Sequence, residues 1–208
     1  MTNVPAFAIL ASLMLLSCAA LAGGVAPAEY QPCAVCHGAA GQGNAAVGAP
    51  ALAGQAAGYL ERQLQYFKVG IRGADPRDTQ GAQMKAMAAT LDDAAIPGMA
   101  KYLAGLPRPV LVTTQAGDLK NGNNYYQSKC GACHGGEAQG NAALNAPGLA
   151  WQDAAYLKRQ YENFQLGVRG AHADDTYGRQ MKMMSTSLPT DKDLTDVIAY
   201  MQSLGKTP

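Results

Sequence analysis

Two short motifs constrain this chain more than any other feature: Cys33-Ala34-Val35-Cys36-His37 and Cys130-Gly131-Ala132-Cys133-His134. They lie 97 residues apart, and the register they set runs without a gap from Cys33/Cys130 to Leu91/Leu188. Of these 59 paired positions 32 are identical, including Pro50/Pro147, Arg62/Arg159, Gln63/Gln160, Arg72/Arg169 and Met84/Met181. Identity this dense means that one structural unit has been duplicated. A one-residue shift then pairs Tyr102 with Tyr200 and Leu106 with Leu204. The copies are therefore expected at 23–107 and 115–208, joined over 108–114 by a stiff, partly extended linker that opens Arg108-Pro109.

Each copy reads as helices separated by long loops, with no convincing strand. Tyr59, Leu60, Gln63, Leu64 and Phe67 recur at helical spacing before a stop at Gly70, and 154–166 repeats the pattern before Gly167. Thr190-Asp191-Lys192-Asp193 is a capping-box-like start for a final helix carrying Leu194, Val197, Ile198 and Met201 on one face. Its counterpart contains Pro97-Gly98, so that helix is expected to start late or to bend. A helix over 118–129 leads into the second motif. The first copy has room only for a short opening helix, with Pro32 just before Cys33.

The spacing within the motifs has a chemical reason. Two thiols three positions apart on a helical turn can both add to the vinyl groups of a haem, and the adjacent histidine then faces the iron. A disulfide would not need the histidine. A thioredoxin-like pair would sit near a βαβ pattern, which is absent. A Cys₄ zinc site would have to bridge both copies and would leave His37 and His134 unexplained. The composition agrees: a chain with 1 Trp and 3 Phe gains a dense core most readily around a large apolar cofactor. Methionine is the usual partner of histidine on the iron of electron-carrying cytochromes. The repeat offers two matched pairs, Met84/Met181 and Met87/Met184, and spacing alone does not choose between them. The Met84 and Met181 segments read as loops leaving a Gly-rich stretch. Arg72, Arg169 and Trp151 carry donors suited to haem propionates.

A formal net charge of +1 offers no support for nucleic-acid binding or a polybasic membrane patch. Residues 6–22 form an uncharged apolar run ending in Ala20-Leu21-Ala22, the pattern of a secretory signal over 1–22 cleaved before Gly23, which implies export to the periplasm. A second reading takes Leu15-Leu16-Ser17-Cys18 as a lipoprotein box, with Cys18 as a lipid anchor.

The whole mature chain resembles the dihaem class I c-type cytochromes of the cytochrome c4 family. The resemblance rests on Cys33-x-x-Cys36-His37-Gly38 and its copy, on 49–55 (Ala-Pro-Ala-Leu-Ala-Gly-Gln), on Tyr59-Leu60-x-x-Gln63-Leu64, and on a methionine seven residues before the leucine that leads into the final helix. It implies an all-α fold of two tandem class I cytochrome c domains, each a few helices wrapped around one covalent haem. It implies two haem c groups on Cys33/Cys36 and Cys130/Cys133, iron ligands His37/Met84 and His134/Met181, and Pro50 and Pro147 carbonyls on the histidine rings. It also implies an electron carrier between a quinol-oxidising complex and a terminal oxidase or other periplasmic acceptor. The rival readings are a cytochrome subunit of a larger oxidoreductase, such as a flavocytochrome sulfide dehydrogenase, and a dihaem peroxidase. The chain departs from the family pattern in its short first helix, in Pro97, and in Trp151 where the first copy has Gly54.

Overall fold

The computed structural model describes residues 25–205. The expected signal segment, its cleavage point and Cys18 lie outside the described residues. Among those residues every regular element is helical, apart from two isolated bridges, Asn44 to Ala49 and Asn141 to Ala146, at repeat-matched positions.

The first half runs α1 (Gln31–His37), α2 (Ala57–Val69), α3 (Thr79–Ala89) and α4 (Ala95–Gly105). The second runs α5 (Leu119–Tyr125), α6 (Gly131–His134), α7 (Ala154–Gln165), α8 (Thr176–Met184) and α9 (Asp191–Leu204). Local chemistry explains most of the boundaries. Gly70 stops α2 in the left-handed region at φ 79°, a conformation that costs glycine little. Asp118 caps α5 through the N–H groups of Lys120 and Asn121, and Thr190 and Asp193 complete a capping box on α9. Pro97 falls in the first turn of α4, where its missing N–H is not required, so that helix starts late and has no side-chain cap.

The sequence placed the Met84 and Met181 segments in loops; they are helical instead. Asp78 accepts from Gly81 N–H at 2.9 Å and starts α3, and Asp175 does the same for Gly178 at 2.8 Å and α8. The missed signal is the Asp-Thr-x-Gly run, in which a buried aspartate serves as N-cap.

Each half has its own core. Tyr30, Leu60, Met99, Ala100 and Leu103 form the first, and Tyr126, Trp151, Leu157, Leu194, Val197, Ile198 and Met201 belong to the second. Tyr30 and Tyr126 are both fully buried, and both donate from the phenol to the glycine carbonyl after the motif histidine, Gly38 and Gly135, at 2.6 Å. They pack on the equivalent tyrosines Tyr102 and Tyr200, with ring centroids 5.7 Å apart in both halves. Yet Tyr126 lies one residue further from its cysteine than Tyr30 does. A π-helical turn over Tyr126–Cys130 takes up that extra residue, so the two tyrosines coincide despite the shift in register.

Candidate functional site

In each half the motif forms a helical turn that buries its histidine and leaves the second cysteine at the surface. His37 and His134 are buried, Cys36 and Cys133 exposed, and Cys33 and Cys130 half-buried. All four cysteines are free thiols. Burial pushes the Cys33 thiol up, and that of Cys130 to about 11.

The histidine orientation is fixed by its other nitrogen. His37 Nδ1 lies 2.9 Å from the Pro50 carbonyl, and His134 Nδ1 lies 2.9 Å from that of Pro147. A carbonyl only accepts, so Nδ1 carries the proton and Nε2 presents its lone pair. Burial lowers the pKa of both rings, against the opposing pull of these carbonyls, and so favours the neutral, ligating form. The carbonyl bond also raises ring basicity and fixes its direction. The residues after each histidine bend back to deliver that proline: Gly43 N–H bonds to His37 O, and Gly140 N–H to His134 O.

Facing His37 Nε2 is Met84 Sδ, 3.5 Å away on the sixth residue of α3. Met181 holds the same position on α8 and is half-buried. The other matched pair and Met183 lie at the surface: Met87 is 38% exposed, Met184 41% and Met183 70%. Two free thiols, a pinned imidazole and a thioether fit a covalently held haem, and a soft thioether opposite imidazole suits iron that cycles between two oxidation states.

Of the other residues singled out by sequence, Arg72 and Arg169 lie in the interface between halves rather than in a solvated loop. Trp151 is buried, with its Nε1–H unpaired. The third histidine of the chain, His172, lies in an exposed loop beside Asp174.

Residues 28–107 and 119–205 both match the cytochrome c family model. The chain belongs to the cytochrome c family. Within it, this cytochrome is a dihaem class I protein of the c4 type, an electron carrier with all-α tandem domains. It is 31% identical to the thiosulfate dehydrogenase electron acceptor of Stutzerimonas stutzeri over 88% of this chain and 83% of that protein. The cytochrome c4 structure from Acidithiobacillus ferrooxidans superposes with a TM-score of 0.68 at 28% identity, covering 84% of this chain and 99% of that one. The thiosulfate dehydrogenase structure from Marichromatium purpuratum matches with a TM-score of 0.64 at 26% identity, over 81% of this chain and 35% of that chain.

Sequence reasoning missed the interface. Gln55 Nε2 donates to Gly148 O at 2.6 Å, and its Oε1 accepts from Gly148 N–H at 3.0 Å. The repeat mate Gln152 grips Ala51 in the same way, at 2.8 and 3.0 Å. Arg62 bonds to Asn145, and Arg159 to the matched Gly48. Each contact is returned by its repeat mate, which makes the interface two-fold in character. The available signal was that polar helix residues, Arg62-Gln63 among them, are identical between copies although the haem motif does not need them.

Proposed function

We propose that this cytochrome relays single electrons in the periplasm through two six-coordinate sites, one in each of the units 23–107 and 115–208, with 108–114 as linker. Cys33/Cys36 and Cys130/Cys133 would hold the two haems through thioethers, and His37/Met84 and His134/Met181 would supply the iron's protein ligands. The observation that carries the reading is His37, pinned at Nδ1 by Pro50 and facing Met84 Sδ at 3.5 Å. When bound, the haem supplies a ferric/ferrous couple. Two protein ligands per iron leave no open position for a substrate, which separates a carrier from a peroxidase. The burial of His37 and His134 excludes water from the ligating nitrogens.

The electron source assigned by the c4 resemblance is a quinol-oxidising complex, and the sink a terminal oxidase or another periplasmic acceptor. A second reading is favoured by the likeness to a thiosulfate dehydrogenase electron acceptor. In it the electrons come from a sulfur-oxyanion dehydrogenase, and membrane contact runs only through partners or a lipid on Cys18. Stopped-flow reduction of the oxidised holoprotein by each donor separates the two. The assigned donor reduces both haems within its own turnover time; reduction by neither donor would overturn the relay.

A further inference from the structure

The interface repeats its backbone contacts but not all of its side-chain contacts, and the exceptions gather around one of the two sites. Arg62 and Arg159 each donate to the carbonyl of the matched residue in the other half, Asn145 O at 3.0 Å and Gly48 O at 2.7 Å. Only Asn145 adds a side chain to that contact. Its Oδ1 accepts from Arg62 Nη1 at 2.6 Å, and its Nδ2 donates to the Tyr177 hydroxyl at 2.7 Å. The same guanidinium lies over the Tyr177 ring, 4.5 Å from its centre. Tyr66 donates from its own hydroxyl to Asp174 O at 3.2 Å, just ahead of α8.

The counterparts in the other half form no such bridge. Gly48 has no side chain. Among the described residues the side chain of Gln80, the mate of Tyr177, accepts only from Thr79 beside it. Asn163, the mate of Tyr66, keeps its Nδ2 buried without a partner.

What the bridge touches gives it a consequence. Asn145 stands two residues before Pro147, whose carbonyl fixes His134. Tyr177 stands one helical turn before Met181, on the same face of α8. The loop behind the histidine and the helix carrying the methionine are thus joined to each other, and both are anchored to α2 of the other half. The backbone carries a cost for this. Asn145 sits in the left-handed region at φ 55°, as Gly48 does at 67°. Glycine takes that conformation freely and asparagine under strain, which the bonds of the Asn145 side chain offset.

We propose that Asn145 and Tyr177 are positioning residues that brace Met181 alone, so that a ligand added from solution displaces Met84 first. This rests on the reading that Met84 and Met181 ligate the two irons. An added ligand competes only in the fraction of molecules whose methionine has moved away, and its apparent affinity falls with that fraction. The bridge lowers the fraction in the second half and has no equivalent in the first. Two sites with the same ligand set therefore differ in how readily they exchange one of those ligands.

The test titrates the ferric, full-length holoprotein with imidazole and follows the strongly shifted methionine methyl signals by proton NMR. Met84→Ala and Met181→Ala assign the two signals. Fewer than two such signals in the wild-type protein would overturn the ligand reading, and the proposal with it. With both present, the Met84 signal is expected to vanish at an imidazole concentration about tenfold below that which removes the Met181 signal, the effect of roughly one hydrogen bond. Tyr177→Phe deletes the hydroxyl alone, and Asn145→Gly copies the first half. Each is expected to draw the Met181 titration down toward that of Met84, which stays where it was. Thr190→Ala weakens the same half away from the bridge and is expected to leave both titrations in place. Equal imidazole affinities in the wild-type protein, or a Met181 titration that does not move in Tyr177→Phe and Asn145→Gly, would overturn the proposal. So would a shift in Thr190→Ala as large as theirs, because general loosening of the second half would then account for it.

Discussion

The two halves are near-copies around their motifs and differ most in how they brace them. In the first, α1 follows a short 3₁₀ turn (Ala28–Tyr30), and α4 begins without a side-chain cap. In the second, α5 lies so close to α9 that only glycine fits at 122; a Cβ there would land on the Asp196 carbonyl. Asp196 joins the two helices, accepting from Asp118 N–H at 2.9 Å, Asn121 Nδ2 at 2.8 Å and Lys192 Nζ at 2.5 Å. Gln202 adds a bond to Gln115 N–H at 2.6 Å and one to Gln152 O at 2.9 Å. The linker uses the difference in its own way: Arg108 lays its stem over Gly54 and stacks its guanidinium on Trp151 at 4.4 Å. The lesson is that a duplicated haem site tolerates two different scaffolds provided the tyrosine, histidine and proline contacts are kept.

The comparison predicts that the second half is the more stable, and it can be broken in graded steps. The largest effect is expected from Gly122→Leu, which forces α5 off α9. Overpacking against backbone should cost the second half about 3 kcal/mol or more and leave the first unchanged. Two transitions followed by calorimetry would exchange order. Asp196→Asn keeps an oxygen for Asp118 N–H but loses the charge that holds Lys192. A loss of about 1–3 kcal/mol is expected in the same transition.

This carboxyl also sets a pH dependence. The hydrogen bond from Lys192, aided by Asp118 N–H and Asn121 against the cost of burial, depresses its pKa to about 2. A depressed carboxylate contributes stability that is full above the ordinary range near ~4 and is lost as the pH falls toward the folded value. Acid titration of the wild-type second half should therefore show a loss between about pH 4 and 2 that Asp196→Asn removes. The smallest step, Thr190→Ala, opens the capping box of α9 and should cost about 1 kcal/mol. It narrows the gap between halves without reversing it.

Much of this was legible in the sequence, because the features concerned are local. Cys-x-x-Cys-His, the helical spacing of Tyr59 to Phe67 and the box at Thr190 each declare themselves within a few residues. The stop at Gly70 could be read for the same reason. What could not be read depends on meetings across distance. Tyr30 and Tyr126 are out of register in the repeat, and only the π-helical turn brings them into equivalence. The Asp78 cap was hidden because a buried aspartate in a Gly-rich stretch looks like a loop. Arg72 and Gln160 are 88 residues apart, and no periodicity announces their bond.

The central claim is that each half is a histidine–methionine site using Met84 and Met181. The most direct measurement is the ferric optical spectrum and proton NMR of Met84→Ala and Met181→Ala, with Met87→Ala and Met184→Ala as controls. The account predicts that each of the first two variants loses half of the long-wavelength methionine–iron charge-transfer band and one of two strongly shifted methionine methyl signals, while the controls keep both. Intact bands in Met84→Ala and Met181→Ala, with losses in Met87→Ala and Met184→Ala, would contradict it.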